Sequence, residues 1–311
     1  MLSPSAPPAT PPPADMLPGV LAVIGALYLI SLLVTVRLLC RSPKPPTPSV
    51  LAVTGTRRCA AGGDSASAVR RRAALFAFRL SLAVWQLLVL VSLCARNALL
   101  GRPTHGHHYW AYQFMFYTVW NYMLQTAFWA CAAACSGAWV FTASGPSAAM
   151  RRLTHMLLSV CVPASLLVSA VLWGLLLPVS LHAHKGSEEL NFFSYNMHAL
   201  NTLALLLEFC CLDRMLLRPG SLALLVMWLL MYGAFVVAQH AVTHFWPYFF
   251  LALDTWAAPG WYVLLAALHL VAWALAKLLS AAKARADPRL RETSTVLAAH
   301  HLQAEHVDLV T

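Results

Sequence analysis

Charge is what this sequence has least of. Only 10% of its 311 residues are Asp, Glu, Lys or Arg, where a soluble domain carries about a quarter. So few charges cannot clothe a soluble enzyme or a nucleic-acid-binding domain. Acids are the scarcer sign, 11 against 21 Lys and Arg, so the net charge of +10 reflects missing carboxylates rather than a rich basic face. That balance suits basic loops at a membrane surface and gives no reason to expect a nucleic-acid partner. The opening segment MLSPSAPPATPPPAD has no basic residue and no small-residue cleavage site, which excludes the pattern of a cleaved signal peptide.

Apolar residues are abundant instead, at 60% of the chain. Runs long enough to cross a bilayer, which takes roughly 20 residues, lie at about 18–39, 73–95, 112–140, 154–178, 192–212, 221–244 and 260–280. The expected fold is therefore an all-α polytopic membrane protein with seven transmembrane helices. Its predicted parts are a Pro-rich tail (1–17), an extra N-terminal transmembrane helix (18–39), a basic cytoplasmic loop (40–72), a six-helix membrane core (73–280) and a cytoplasmic tail (281–311).

Lys and Arg set the orientation. The N-terminal tail has none, whereas the first loop holds Arg41, Lys44, Arg57, Arg58, Arg70, Arg71 and Arg72. Seven spans with the N-terminus outside and the C-terminus inside put sixteen basic residues on inner segments and three on outer ones, with Arg37 and Arg79 inside spans. No outward loop then contains any of the eight cysteines, so no disulfide framework is expected. Cys40, at the edge of the first span, is a candidate for acylation, although a juxtamembrane cysteine is more often unmodified. The Cys131 and Cys135 pair, in a run of small residues, reads as helix packing.

Polar groups inside spans are costly and mark buried contacts or function. Thr118, Asn121, Tyr122 and Gln125 recur at i, i+3, i+4 and i+7, one helix face. His198, Asn201, Leu205 and Glu208 share a face in the fifth span, and Gln239, His240, Thr243 and His244 cluster near the outer end of the sixth. With the orientation above, Thr118 and His198 fall at similar depth in the outer leaflet, each about 9 Å below its span's outer start. The ordinary reading of Thr118 alone is a hydroxyl bonded to its own helix at i−4, and of His198 alone an interhelical donor; the functional reading rests on their co-location. Glu208 is the carboxylate well inside a span, about 15 Å deeper than His198, and is expected to form a structural ion pair with Arg79.

The remaining histidines point to no metal centre. H-G-H-H at His105–His108 and H-A-H at His182–His184 fall on outward loops, short of the histidine boxes of di-iron desaturases. H-A-V-T-H (His240, His244) has a metal pair's spacing without the glutamate of H-E-x-x-H. Haem held by His155, His198, His240 or His269 is a lesser alternative; we expect no metal and no cofactor.

Three stretches resemble a known family. F-Y-T-V-W-N-Y-M-L-Q-T-A-F-W (Phe116–Trp129) resembles the third-span motif of the androgen-induced and androgen-dependent TFPI-regulating protein family, and of the related rolling stone proteins. Y-N-M-H-A-L-N-T-L-A-L-L-L-E (Tyr195–Glu208) is similar to that superfamily's histidine helix, and Q-H-A-V-T-H-F-W-P-Y-F-F (Gln239–Phe250) with P-G-W-Y (Pro259–Tyr262) to its closing signature. The resemblance spans about 73–280 and implies a six-helix core. In the androgen-induced branch it implies a threonine-dependent hydrolase of fatty acid esters of hydroxy fatty acids, with Thr118 as nucleophile and His198 as base. Ala199, where the mammalian hydrolases have threonine, and Asn201 bring the stretch nearer the rolling stone branch.

The leading expectation is thus an intramembrane lipid esterase. A threonine hydroxyl becomes a useful nucleophile when a base takes its proton, and the same histidine then protonates the leaving oxygen. Asn121, Asn196 and Gln239 are candidate oxyanion donors, and His240 a supporting base. No acid orients His198 unless Asp254 folds back to it. The substrate would be a lipid entering from the bilayer, in the endoplasmic reticulum or plasma membrane. The alternative is a non-catalytic multi-pass protein of rolling stone type, concerned with membrane organisation or cell fusion. Seven spans also match a receptor, but the D-R-Y and N-P-x-x-Y motifs are absent.

Overall fold

The computed structural model describes residues 66–100, 109–183 and 190–287 except 143, 214, 219 and 254, together with residues 26 and 290. The span at 18–39 apart from residue 26, most of the 40–72 loop, His105–His108, His184, Asp254 and most of the C-terminal tail lie outside the described residues. The main elements of the described chain are the helices Ala66–Leu100 (α1), Tyr117–Phe141 (α2), Ala148–His182 (α3), 192–212 (α4), Ser221–Thr243 (α5) and Ala258–Ala286 (α6). Five of these, all but α4, are single helices long and apolar enough to cross a membrane. This is an all-α polytopic membrane protein.

The helices bury faces that repeat with helical period. On α1, Gln86, Val89 and Leu93 are buried while Val84, Leu87, Leu88 and Val91 are exposed, an inward stripe on a rod whose other side meets lipid. Close approach of α1 to α2 depends on Gly137, where a β-carbon would stand 3.0 Å from the Phe76 ring. The α2–α3 turn closes at Gly145, whose φ of +69° only glycine adopts cheaply. Ser147 then caps α3, its hydroxyl accepting from the Met150 amide at 3.2 Å.

Four departures from α-geometry shape the interior. The chain reaches α2 through a 3-10 turn, Tyr109–Met115, and an extended Phe116 (φ −91°, ψ 134°). The helix therefore begins at Tyr117, five residues later than the apolar run, and Thr118 lies at its first turn rather than partway down. In α3 a π-turn at Leu172–Leu176 precedes Pro178, which lacks the N–H that would continue the ladder. In α4, capped by Asn191 through bonds to the Phe193 and Ser194 amides, π-turns occupy Tyr195–Leu200 and Glu208–Leu212. Such one-turn bulges often occur at functional positions, and these two contain His198 and Glu208.

Towards the end of the bundle that carries α4's last turn, Phe128, Trp129, Leu158, Leu205 and Phe209 form an apolar core. Beyond it Arg79 pairs with Glu208, donates to Ser136 Oγ at 2.6 Å and lies 3.8 Å from Asp213. Lys283 and Lys277 donate to the Phe209, Met215 and Leu217 carbonyls, which straps the α4–α5 connection onto α6.

Candidate active site

At the opposite end, α2 to α6 surround a cavity of ≈ 80 Å³, several times the roughly 10–15 Å³ a single water needs. Leucine, valine and aromatic residues make up most of its wall, and Thr118, His198, His269 and four tyrosines are the lining residues with polar side-chain atoms. Thr118 and His198, eighty positions apart in sequence, thus share one apolar chamber.

Thr118 differs from four other helical hydroxyls. Thr126, Ser136, Thr154 and Ser159 each donate to the carbonyl four residues back, at 2.8–2.9 Å. The carbonyl four residues before Thr118 belongs to Phe114, and it is taken by the Trp120 indole at 2.7 Å. The Thr118 hydroxyl meets the Tyr248 hydroxyl instead, at 3.4 Å. Its backbone N–H, at a helix start where amides lack intrahelical partners, is 3.5 Å from that same tyrosine oxygen. A hydroxyl and an amide that donates outside its own helix, to Tyr248, therefore stand together at the positive end of a 25-residue helix.

His198 is held by a backbone group from α3. Its Nδ1 is 3.2 Å from the Val168 carbonyl; a carbonyl can only accept, so Nδ1 carries the hydrogen. In the neutral ring Nε2 then bears the lone pair. Ser169 donates to the His198 carbonyl and bonds Thr202 at 2.7 Å, fixing the π-turn that presents the ring. His269 is arranged similarly: Nδ1 is 2.7 Å from the Leu265 carbonyl and Nε2 is 3.3 Å from the Tyr117 hydroxyl, which donates to it.

A family model described as FAR-17a/AIG1-like protein matches residues 76–283. The chain belongs to this family. No curated protein and no solved structure matches it.

In this FAR-17a/AIG1-like chain the match runs from within α1 to within α6, so both walls of the cavity lie inside the family region. The structure brings Thr118 and His198 to the chamber but not the amides paired with them on sequence grounds. Asn196 is engaged elsewhere, accepting from the Trp85 indole at 2.9 Å and donating to the Phe192 carbonyl at 2.8 Å. Gln239 donates to Thr243 Oγ1 and to the Phe245 carbonyl, and His240 stacks on Trp246 with centroids 3.8 Å apart. Asn121 is fully buried one turn below Thr118, outside the cavity wall, and neither it nor Gln125 has a side-chain partner among the described residues.

Sequence reasoning missed Tyr248, the Val168 carbonyl and the Tyr117–His269 contact. Tyr248 lies inside the quoted Gln239–Phe250 stretch, where an aromatic among aromatics carries no separate signal. A main-chain carbonyl leaves none at all. Among the described residues no group of three or more His, Cys, Asp or Glu side chains is placed to hold a metal.

Proposed function

We propose that this protein hydrolyses lipid esters within the membrane, with Thr118 as nucleophile and His198 as base. The observation that carries the reading is that Thr118, whose hydroxyl meets Tyr248 rather than a carbonyl of its own turn, lines the same chamber as His198. His198 Nε2 takes the hydroxyl proton as Oγ1 attacks the ester carbonyl. The tetrahedral oxyanion accepts from the Thr118 N–H and the Tyr248 O–H, both beside the attacking oxygen. Collapse leaves an acyl-threonine, and the departing alkoxide takes the proton back from His198. Water, deprotonated by the same imidazole, then frees the fatty acid. The Val168 carbonyl fills the orienting role that a carboxylate plays in a triad.

The apolar wall suits acyl chains, and family membership favours fatty acid esters of hydroxy fatty acids that enter sideways from the bilayer. The compartment we assign is the endoplasmic reticulum or plasma membrane. A second arrangement is favoured by one contact: the Tyr117 hydroxyl already donates to His269 Nε2, as a nucleophile would to its base.

The test is hydrolysis of such an ester by purified protein in lipid. Thr118→Ala and His198→Ala are expected to lose at least about a thousandfold in kcat/KM while melting within a few degrees of wild type. Activity retained in Thr118→Ala but lost in Tyr117→Phe and His269→Gln transfers the reaction to the second pair. An inert wild type whose variants melt early favours the non-catalytic, rolling stone-type role.

A further inference from the structure

We infer that Cys210 and Cys211 are sites of S-acylation by a long-chain fatty acyl group. They stand out among the described cysteines. Cys135 and Cys161 are buried, and Cys94 and Cys131 are half-buried along α1 and α2. Cys210 and Cys211 are exposed and unpaired, and they occupy the last π-turn of α4, two and three residues before the backbone turns extended at Asp213 (φ −90°, ψ 148°).

Their position on α4 also supplies a seat for the chain. Leu200, Leu203 and Leu207 are exposed at steps of three and four residues, a lipid-facing stripe. Cys210 and Cys211 continue that stripe to the helix end, while Glu208 and Phe209 between them and Leu207 are buried. An acyl chain on either sulfur can lie back along the leucines within the bilayer, burying apolar surface at about 0.8 kcal/mol per methylene.

The surrounding charge fits the donor. Lys283 is pinned beside the thiols, its Nζ 2.6 Å from the Phe209 carbonyl and 4.8 Å from that ring's centroid. Lys277 and Arg218 lie on the same α4–α5 and α6 end. The donor class is an acyl-coenzyme A, whose phosphates such cations attract. The thiol sulfur attacks the thioester carbonyl, a new C–S bond forms, the bond to coenzyme A breaks, and free coenzyme A leaves with the thiol proton. No oxidant or reductant is needed.

The experiment uses the full chain expressed in cells. Free thiols are blocked, thioesters are cleaved with hydroxylamine, and the released thiols receive a polyethylene glycol maleimide that shifts the band on a gel. Wild type is expected to show hydroxylamine-dependent shifts. Cys210→Ser and Cys211→Ser should each lose one tag and the double variant two, with unchanged melting because both side chains are exposed. Any acyl group on Cys40 or Cys59 stays as a constant background across the four proteins. A wild type without a hydroxylamine-dependent shift, beside a co-expressed acylated control that shows one, overturns the inference; so does a double variant whose tags equal those of wild type.

Discussion

Tyr248→Phe removes one oxygen, the one that faces both the hydroxyl and the amide of Thr118. If that phenol donates to the oxyanion, kcat should fall by about a hundredfold with KM and melting temperature little changed; initial-rate kinetics in lipid check this. An equal fall in Tyr248→Phe melting temperature would instead make the contact structural. Thr118 and His198 were legible in the sequence as polar groups at one depth on two spans, which the resemblance also singles out. The group that orients His198 was not, since a main-chain carbonyl has no letter of its own. Asn121, Asn196 and Gln239 were reasonable donors by depth alone, but depth does not say which way a side chain turns, and the Trp85, Thr243 and Phe245 partners are visible only in the fold.

Helices fix what these residues can do. The late start of α2 makes Thr118 N–H available, and the π-turn of α4 aims His198. Both were invisible to a 3.6-residue period: an aromatic run such as YWAYQFMF reads alike in a 3-10 turn and an α-helix, and one extra residue in a turn leaves the apolar pattern nearly intact. The helices themselves were legible from apolar length, the last five to within a few residues at most ends. At the far end, Arg79 and Glu208 tie α1 to α4. Glu208→Ala removes the nearer anion of a buried guanidinium, leaving Asp213 at 3.8 Å, and is expected to cost about 3 kcal/mol, measured by unfolding in detergent. The double variant Arg79→Met, Glu208→Leu should recover most of that loss, because an apolar pair of similar volume removes both desolvation penalties. Single and double variants that melt alike would refute the coupling. Hydrolysis per folded molecule should be unchanged in the double variant, since an apolar core separates the pair from the cavity.

Across the whole molecule the bundle has two ends of different chemistry. One holds the apolar chamber with its hydroxyls and imidazoles; the other holds Arg79, Lys277, Lys283 and the exposed cysteines. The Lys and Arg distribution predicts that the second end faces the cytoplasm, with the N-terminus outside. Single-cysteine labelling with a membrane-impermeant maleimide should modify position 5 in intact cells and position 305 only after permeabilisation; the reverse result would invert the bundle and place the chamber in the inner leaflet. The measurement that bears most directly on the central claim is the covalent intermediate. Purified protein in lipid is mixed with an activated fatty acyl ester, quenched within one turnover and digested, and the acyl mass is located on a peptide. The account predicts the acyl group on Thr118 in wild type and none in Thr118→Ala. An acyl group on Tyr117, or turnover that persists in Thr118→Ala, would contradict it.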